Sequence, residues 1–426
     1  MNRLDPLYCL LAVAAAPVWL RKARGGWGQR FGRVGKMLKN PGPTQGRKRV
    51  MLHAVSVGEV NALRSLVPRL TPHADVIISA TTDTGLACAR SLYRDSCEVV
   101  RYPLDFSGSV ARFLDAVRPD AVALVELELW PNFINACRAR RIPVCVINGR
   151  LSARSFKGYR RFRRFLSPMF RRLEFAAVQD EVYAERFEAM GCAHDAVSIT
   201  GSMKWDNAVI AESVEGANEL AENMGIDRSR PLVVAGSTGP GEEALIHRAC
   251  AGLREVQLVC APRKPERFDE AAAAMTGCVR RSVTKTQGPP AVRCDRFLLD
   301  TIGELRAVYA LADVVVVGRS FGDLHGSDPT EPIGLGKPTI IGPAVGDFAS
   351  IVRAFEDAGG IVRATRDTLR GEIARLLEDR RAGAEIAARG RACIEANRGA
   401  SDRHADLLLS LLEAGVDSYC PDPTGA

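Results

Sequence analysis

The chain has 426 residues, 46% of them apolar and 25% charged, with a formal charge of +8. That composition excludes a disordered or fibrous polymer, and at about 150 residues per domain the length is too great for one ordinary core. Twelve cysteines contain no C-x-x-C pair, so their spacing spells neither a zinc site nor a redox dithiol, and free thiols in a reducing compartment are expected. The positive charge asks for an anionic partner, and nucleic acid, a phospholipid surface and a phosphorylated substrate satisfy it equally.

At the N-terminus, Leu7 to Leu20 form a 14-residue apolar run followed at once by Arg21, Lys22 and Arg24. As a helix that run extends about 21 Å, short of the ~30 Å hydrocarbon core, so residues 1–25 are expected to anchor in a membrane more easily than to span it. Secretory signals carry their charge in front of the apolar run, and here it follows. The positive-inside bias then puts Arg21 to Arg24 on the cytoplasmic side. A buried N-terminal helix is the rival reading.

From residue 50 onward, short apolar runs alternate with helical stretches, the repeat that a parallel sheet with crossover helices requires. The expected strands are RVMLHA, DVIISA, CEVVRY, AVALVEL, PVCVIN, FAAVQ and VSIT, with helices such as SGSVARFLDAVR and DEVYAERFEAMG between them. They make a first Rossmann-like domain over residues 26–210. A polar stretch, residues 211–228, reads as a linker. Residues 229–426 repeat the pattern with LVVAGS, VQLVCAP, DRFLLD, DVVVVG, PTIIG and GGIVRA, then close with a tail of helices alone. Two such α/β halves facing a cleft match the GT-B arrangement of many glycosyltransferases, although NAD enzymes and sugar-nucleotide epimerases share the pattern.

No G-x-G-x-x-G follows a strand and no G-x-x-x-x-G-K-[ST] occurs, which weakens the dehydrogenase and NTPase readings. Polar or glycine-rich turns recur instead at strand ends: SVGE, GSTGPGEE, APRKPER and GRSFGDLHGSDPTEP. Glu59, in HAVSVGEV, stands where a strand gives way to a helix, behind Ser56 and Gly58. A first-turn carboxylate is favoured there by the free N–H groups and the helix dipole alone, and the same place suits a catalytic base. In VELELWPN, Glu126 and Glu128 alternate with apolar residues, which puts both on one face of a strand end, where they repel unless bound or solvated; Trp130 reads as core. DTIGEL lies at a strand end that opens a helix, where α/β sheets bind ligands. Residues 149–173, GRLSARSFKGYRRFRRFLSPMFRRL, hold nine Arg or Lys and no acid, with aromatics interleaved. Such a segment fits nucleic acid, an interfacial helix on anionic lipid, or a plain solvated face, and the apolar anchor favours the lipid.

The motifs HAVSVGEV, TTDTG, YPLDFSGSVARFL, VELELWPN, INGRLSARSFKGYRR, TGSMKWD, AGSTGPGEE, PRKPERF, IGEL and EPIGLGKPTIIGP carry a family resemblance. In this order the chain resembles the bacterial Kdo transferases, which move 3-deoxy-D-manno-octulosonic acid (Kdo) from CMP-Kdo onto a lipid A precursor. The likeness runs from the N-terminal anchor to about residue 350. It implies a GT-B fold with an acceptor-binding N-terminal domain and a CMP-sugar-binding C-terminal domain, at the cytoplasmic face of the inner membrane. It implies Glu59 as general base, supported by Ser56 and Gly58, with Glu128 as a polar transition-state residue, Glu126 structural, and Lys204 stabilising the transition state. Pro262 and Arg263 are implied for CMP. The donor side continues with Ile302, Gly303 and Glu304 and with Asp328, Pro329, Thr330 and Glu331, supported by Ser237 and Ser320; a carboxylate such as Glu331 suits ribose hydroxyls.

The match is imperfect at one place. The family usually reads GGS and then GGHNPLEP, and this chain has GRS and then HGSDPTEP, so Ser327 and Asp328 stand for the usual His and Asn. An added acid beside a phosphate is unfavourable unless Arg319 offsets it. A GT-B transferase with a changed donor or acceptor, and an inactive membrane- or nucleic-acid-binding relative, are therefore the alternatives. A donor with a single phosphate does not demand a divalent ion, so no catalytic metal and no cofactor are expected. The expected partners are CMP-Kdo, a phosphorylated lipid A precursor and an anionic membrane surface, with no nucleic acid.

Overall fold

The computed structural model describes residues 5, 6, 8, 25–35, 38 and 46–414. They fall into two compact units, one holding the residues up to Asn207 and those from Arg398 onward, the other Ala208–Asn397. The expected membrane anchor, residues 1–25, lies almost wholly outside the described residues. Among those described, no helix is long and apolar enough to cross a membrane.

The first unit is built on seven strands: β1 (Arg49–Ala54), β2 (Asp75–Ala80), β3 (Glu98–Arg101), β4 (Ala121–Val125), β5 (Val144–Gly149), β6 (Ala176–Val178) and β7 (Val197–Ile199). They pair in parallel in the order β3-β2-β1-β4-β5-β6-β7, with Arg49 opposite Asp75 and Val50 opposite Ala121. Helices cover both faces, so the strands are buried on both sides and read as unbroken apolar runs. Alternate residues go to opposite cores. Met51 and Ile77 pack with Phe113 and Phe133, whereas Val50, Leu52, Val76 and Ile78 pack with Leu63 and Leu66. His53 of β1 is fully buried, its Nδ1 2.8 Å from Ser79 Oγ and its ring stacked on Tyr102. Burial pushes its imidazole down to about 3, so it is neutral core and not a base.

The second unit repeats the plan with β8 (Leu232–Thr238), β9 (Gln257–Pro262), β10 (Val279–Arg280), β11 (Arg296–Leu298), β12 (Val314–Val317), β13 (Thr339–Ile341) and β14 (Val362–Arg363). All pair in parallel, in the order β10-β11-β9-β8-β12-β13-β14. In each sheet the winding reverses once, between β1 and β4 and between β8 and β12. Loops leaving the carboxyl ends of those pairs diverge, which opens a crevice where such sheets take ligands.

Two expectations about domain limits are corrected. Residues 211–228 are not a bare linker: they hold the helix Ala217–Met224, which buries Ala217, Leu220, Ala221 and Met224 in the second unit. That apolar stripe at helical spacing is hidden among acids. The tail also divides. Helices Leu369–Glu378 and Arg380–Asn397 stay with the second unit, but Ala400–Ala414 belongs to the first, packing Leu408 and Leu412 with Leu66 and Leu70. Its start is tied by the Asp206 carboxylate, which accepts from Gly399 N at 2.7 Å and Ser401 N at 2.6 Å. Its buried His404 accepts at Nε2 from Asn148 N at 3.2 Å. Residues 229–426 therefore do not form one domain.

Candidate functional site

In the first unit β1 ends at Ala54, and Ser56 caps the helix Val57–Ala62. A reciprocal box forms there. Glu59 N reaches Ser56 Oγ at 3.5 Å, the Ser56 hydroxyl donates back to Glu59 Oε1 at 2.8 Å, and Val55 N donates to Glu59 Oε2 at 2.8 Å. The helix-starting role of Glu59 is thus realised, and it also fixes the direction of the carboxyl group. The TTDTG turn buttresses it from behind: Thr82 Oγ1 donates to Val55 O at 2.9 Å, and a Cβ on Gly85 would lie 2.9 Å from that same oxygen. Gly58 is different. It is exposed within the first helical turn, and a Cβ there would meet nothing nearer than Ser56 Oγ at 3.8 Å, so the tight turn does not depend on glycine.

β4 stops at Val125, so Glu126 and Glu128 stand on a loop and not on one face of a strand. Glu126 has φ 62, a left-handed conformation unfavourable for a residue with a side chain. Its N–H donates to Ile147 O at 3.0 Å and its carbonyl accepts from Arg150 N at 3.2 Å, which hold that turn in place. As a result both acids line the same cavity as Glu59, about 290 Å³ in volume, together with Arg150, Ser155 and Tyr159. Arg150 Nη1 lies 3.8 Å from Glu126 Oε2. Trp130, read as core, is 41% exposed, and its indole N–H donates to Glu128 Oε2 at 2.8 Å, so the ring serves the carboxylate instead of the interior.

The electrostatics follow from this crowding. Burial pushes the Glu59 carboxyl up to about 7; the Val55 N–H and the Ser56 hydroxyl oppose it, while Glu126 and Glu128 add repulsion. Burial also raises Glu128, against its bond from Trp130 and with help from Glu126. A carboxyl raised as far as that of Glu59 takes up a proton near neutral pH, where a free one does not.

Lys204 does not line that cavity. It lies on the loop after β7, where Met203 N donates to Asn148 Oδ1 at 3.1 Å. On its other side Asn207 Nδ2 donates to the carbonyls of Asn61 and Ala62, at 3.1 and 3.3 Å, the far end of the helix that carries Glu59. The loop is pinned before and after the lysine.

In the second unit Pro262 closes β9 and is buried, while Arg263 is exposed, with its N–H on Thr238 O at 3.1 Å. Tyr309 links the other donor-side residues. Burial pushes its phenol far up; Glu331 and Asp328 add to that and Arg263 opposes it, which puts all three within electrostatic reach of one hydroxyl. That hydroxyl sits where only glycine fits, 1.9 Å from the place of a Cβ on Gly236. Asp328 Oδ1 accepts from Thr330 N at 2.9 Å and from Thr330 Oγ1 at 2.7 Å, so the acid that looked unfavourable beside a phosphate closes an Asx turn onto the first residue of the helix Thr330–Gly334, whose N-cap is Pro329. Pro329 and Thr330 are buried at that helix start.

Ser327 Oγ donates to Ser237 O at 3.4 Å, with Ser237 itself left-handed at φ 54. Ser320 Oγ donates to Val317 O at 2.6 Å and accepts from Gly342 N at 2.8 Å. Ile302 is exposed and Gly303 takes φ 96, on the turn before the helix Leu305–Leu311. Glu304 pairs with Arg281, Nη2 to Oε1 at 2.7 Å and Nε to Oε2 at 3.2 Å, and accepts from the Thr301 hydroxyl. Burial pulls its carboxyl up, but those bonds outweigh it and hold the group below its ordinary value. Its side chain is therefore engaged within the unit.

Sequence reasoning missed two sets of residues. Arg150, Ser155 and Tyr159 belong by sequence to the segment read as facing lipid, and instead they line the Glu59 cavity. Glu242 and Glu243 read from GSTGPGEE as part of a glycine-rich loop, yet both are buried and bonded, Glu243 to Thr238 Oγ1 at 2.5 Å and to Arg267 at 2.9 Å. The signal was present. It is the same strand, turn and first-turn acid that singled out Glu59.

Three comparisons bear on this geometry. The family model for 3-Deoxy-D-manno-octulosonic-acid transferase (kdotransferase) matches residues 25–207. The 3-deoxy-D-manno-octulosonic acid transferase of Haemophilus influenzae is 32% identical over 390 residues, 88% of this chain and 89% of that protein. That of Bordetella pertussis is 33% identical over 432 residues, 94% of this chain and 98% of that protein. Among solved structures, a glycosyltransferase from Rickettsia africae shares the two-unit α/β fold, with TM-score 0.59 over 86% of this chain and 99% of its own; at 11% identity this is a likeness of fold alone.

Proposed function

The chain belongs to the 3-deoxy-D-manno-octulosonic acid (Kdo) transferase family, enzymes that transfer Kdo in lipopolysaccharide synthesis. On that premise we propose that it moves Kdo from CMP-Kdo to a sugar hydroxyl of the phosphorylated lipid A precursor, lipid IV(A), with inversion and with Glu59 as general base. The observation that carries this reading is the Glu59 carboxyl, raised to about 7, oriented by Val55 and Ser56, and lining a cavity at the switch point of the first sheet.

The acceptor binds the first unit and the donor the second, as in a GT-B transferase. In one displacement the acceptor oxygen bonds to the anomeric carbon while the bond from that carbon to the phosphate oxygen breaks. The hydroxyl proton passes to Glu59, and CMP leaves with the electron pair. Arg263 meets the phosphate as it gains charge, and Lys204 offsets charge in the transition state. Glu128, with Trp130 on one oxygen, holds a polar contact to the reacting sugar. Glu331 serves the ribose hydroxyls. The Asx turn of Asp328 supports a CMP donor, because a carboxylate turned to Thr330 presses less on a neighbouring phosphate.

We place the enzyme at the cytoplasmic face of the inner membrane. Support comes from the apolar run Leu7 to Leu20 and from Phe162 and Phe165, 57% and 81% exposed between Arg160, Arg161, Arg163 and Arg164. Apolar rings among cations suit anionic lipid. Flotation with vesicles checks this: binding to anionic vesicles is expected to exceed binding to neutral ones, and equal binding to both removes the support.

The function itself is tested with purified full-length protein, CMP-Kdo and lipid IV(A), by mass spectrometry of the lipid product. Wild type is expected to add Kdo, and Glu59→Ala to lose at least about 10²-fold in rate, the scale of a general base. Transfer from a UDP-sugar alone, or an unimpaired variant, overturns the reading.

A further inference from the structure

Glu242 is a buried carboxylate that the reaction, as derived, does not use. It opens the helix Glu242–Cys250 at the end of the turn after β8 and is 2% exposed. Its Oε2 accepts from Gly239 N at 2.7 Å and from Arg319 N at 2.5 Å; its Oε1 accepts from Ser320 N and Phe321 N, both at 2.9 Å. Three successive N–H groups, those of residues 319–321, converge because Arg319 takes φ 58 in the left-handed region. Backbone of that kind forms a nest for an anion. In parallel α/β sheets a nest at the switch point is a ready seat for a ligand phosphate. Here the protein fills the seat with a group of its own.

The two loops so joined are the ones that flank the donor-side residues. Thr238, next to Gly239, accepts from Arg263 N at 3.1 Å, and Arg319 O accepts from Gly326 N at 2.9 Å, at the start of the segment leading to Asp328 and Glu331. A Cβ on Gly239 would lie 2.7 Å from Leu324 Cδ1, so the leucine side chain packs directly on this turn. Packing alone does not account for this arrangement, because an apolar group in place of the carboxylate would strand four N–H donors.

We propose that Glu242 is a positioning residue for donor binding: an internal anion that locks the loop after β12 to the loop after β8, so that the donor phosphate is seated outside this nest, on the side of Arg263. The proposal rests on the reading of the second unit as the donor-binding one. It predicts a requirement for negative charge at this point, which a residue acting through shape alone would not show.

The experiment is chemical rescue in the full-length protein. Glu242→Ala leaves the four donors around a hole that formate can enter. Its KM for CMP-Kdo is expected to rise at least about tenfold, with kcat changed less, because donors left without an acceptor let the loops move. Formate is expected to restore most of that loss, and formamide, its neutral counterpart at the same concentration and ionic strength, to restore none. Formate is likewise expected to raise the melting temperature of Glu242→Ala and not that of wild type. The melting readout needs no Kdo transfer, so it separates failure of the anion idea from failure of the donor assignment. Should Glu242→Ala not fold, Glu242→Gln keeps the volume and turns an NH2 toward backbone N–H groups, and the same rise in KM is expected. Formate and formamide acting alike, or a Glu242→Gln protein with wild-type KM and melting temperature, overturns the proposal.

Discussion

Glu59 and Glu242 hold the same place in two sheets of the same design, each in the first turn of the helix after the switch-point strand. One carboxylate accepts two hydrogen bonds and lines a cavity; the other accepts four and is sealed. The difference arises across the switch point, not in the helix. After β4 the chain turns acids, Glu126 and Glu128, toward the first glutamate, whereas after β12 it turns backbone N–H groups toward the second. An acid facing acids gains affinity for a proton, and an acid facing N–H groups becomes a fixed anchor. Place in the fold marks where a ligand or an anchor can sit, and the opposing loop decides which.

The sharpest way to break this contrast is Glu59→Gln, which keeps the shape of the helix start. Its kcat is expected to fall about 10²-fold or more, the scale of a lost general base. Its stability is expected to move the other way. The folded-state value of Glu59 is raised to about 7, so its contribution to stability is full below the ordinary carboxylate range and is lost as pH rises through about 7. Glu59→Gln should then melt no lower than wild type at pH 8, with the gap closing toward pH 5. A variant that melts well below wild type at pH 8 with a normal rate would make Glu59 a helix-start residue and nothing more.

Next in size is the pH profile of the wild-type enzyme. A base that must be ionised to accept a proton makes kcat/KM fall about tenfold per pH unit below about 7. A profile flat down to pH 5 removes Glu59 as the titrating base. Smaller again is the effect of its neighbours: Glu126→Gln or Glu128→Gln takes away a like charge and is expected to shift that acidic limb to lower pH, by less than about one unit. No shift in either variant means the acids do not sense each other. The smallest change is expected in the second unit, where Asp328→Asn keeps the oxygen that accepts from Thr330. It should cost at most about 1 kcal/mol of stability in denaturant melts and leave the KM for CMP-Kdo within about threefold. A larger change in KM would put the Asp328 carboxylate on the donor instead of on Thr330.

Much of the fold is readable because both faces of each sheet are buried, which makes strands such as Val314–Val317 continuous apolar words. Glu59 is readable because Ser56 and Glu59 have the spacing of a capping box, although only the structure shows the raised carboxyl. Glu126 was misplaced on a strand, since nothing in VELELWPN marks the left-handed turn that ends β4; it is imposed from outside by Ile147 and Arg150. Trp130 looked like core because its partner, Glu128, is a polar group only two residues away. The helix Ala217–Met224 reads as linker because its four apolar residues at helical spacing alternate with Asn218, Glu219, Glu222 and Asn223, between Gly216 and Gly225. The return of Ala400–Ala414 to the first unit rests on Asp206, Asn148 and Thr200, about two hundred residues away, and an amphipathic helix does not announce which sheet it will cover.

That return has a consequence for how the protein is made. The second unit is one uninterrupted stretch, but the wall of the first unit that covers Leu66 and Leu70 is translated after it. On the ribosome the later unit can close while the earlier one still waits with greasy surface uncovered, a period in which a chaperone has something to hold. A frameshift or early stop just before Ala400 would thus damage the unit that carries Glu59 and leave the coding stretch of its neighbour whole.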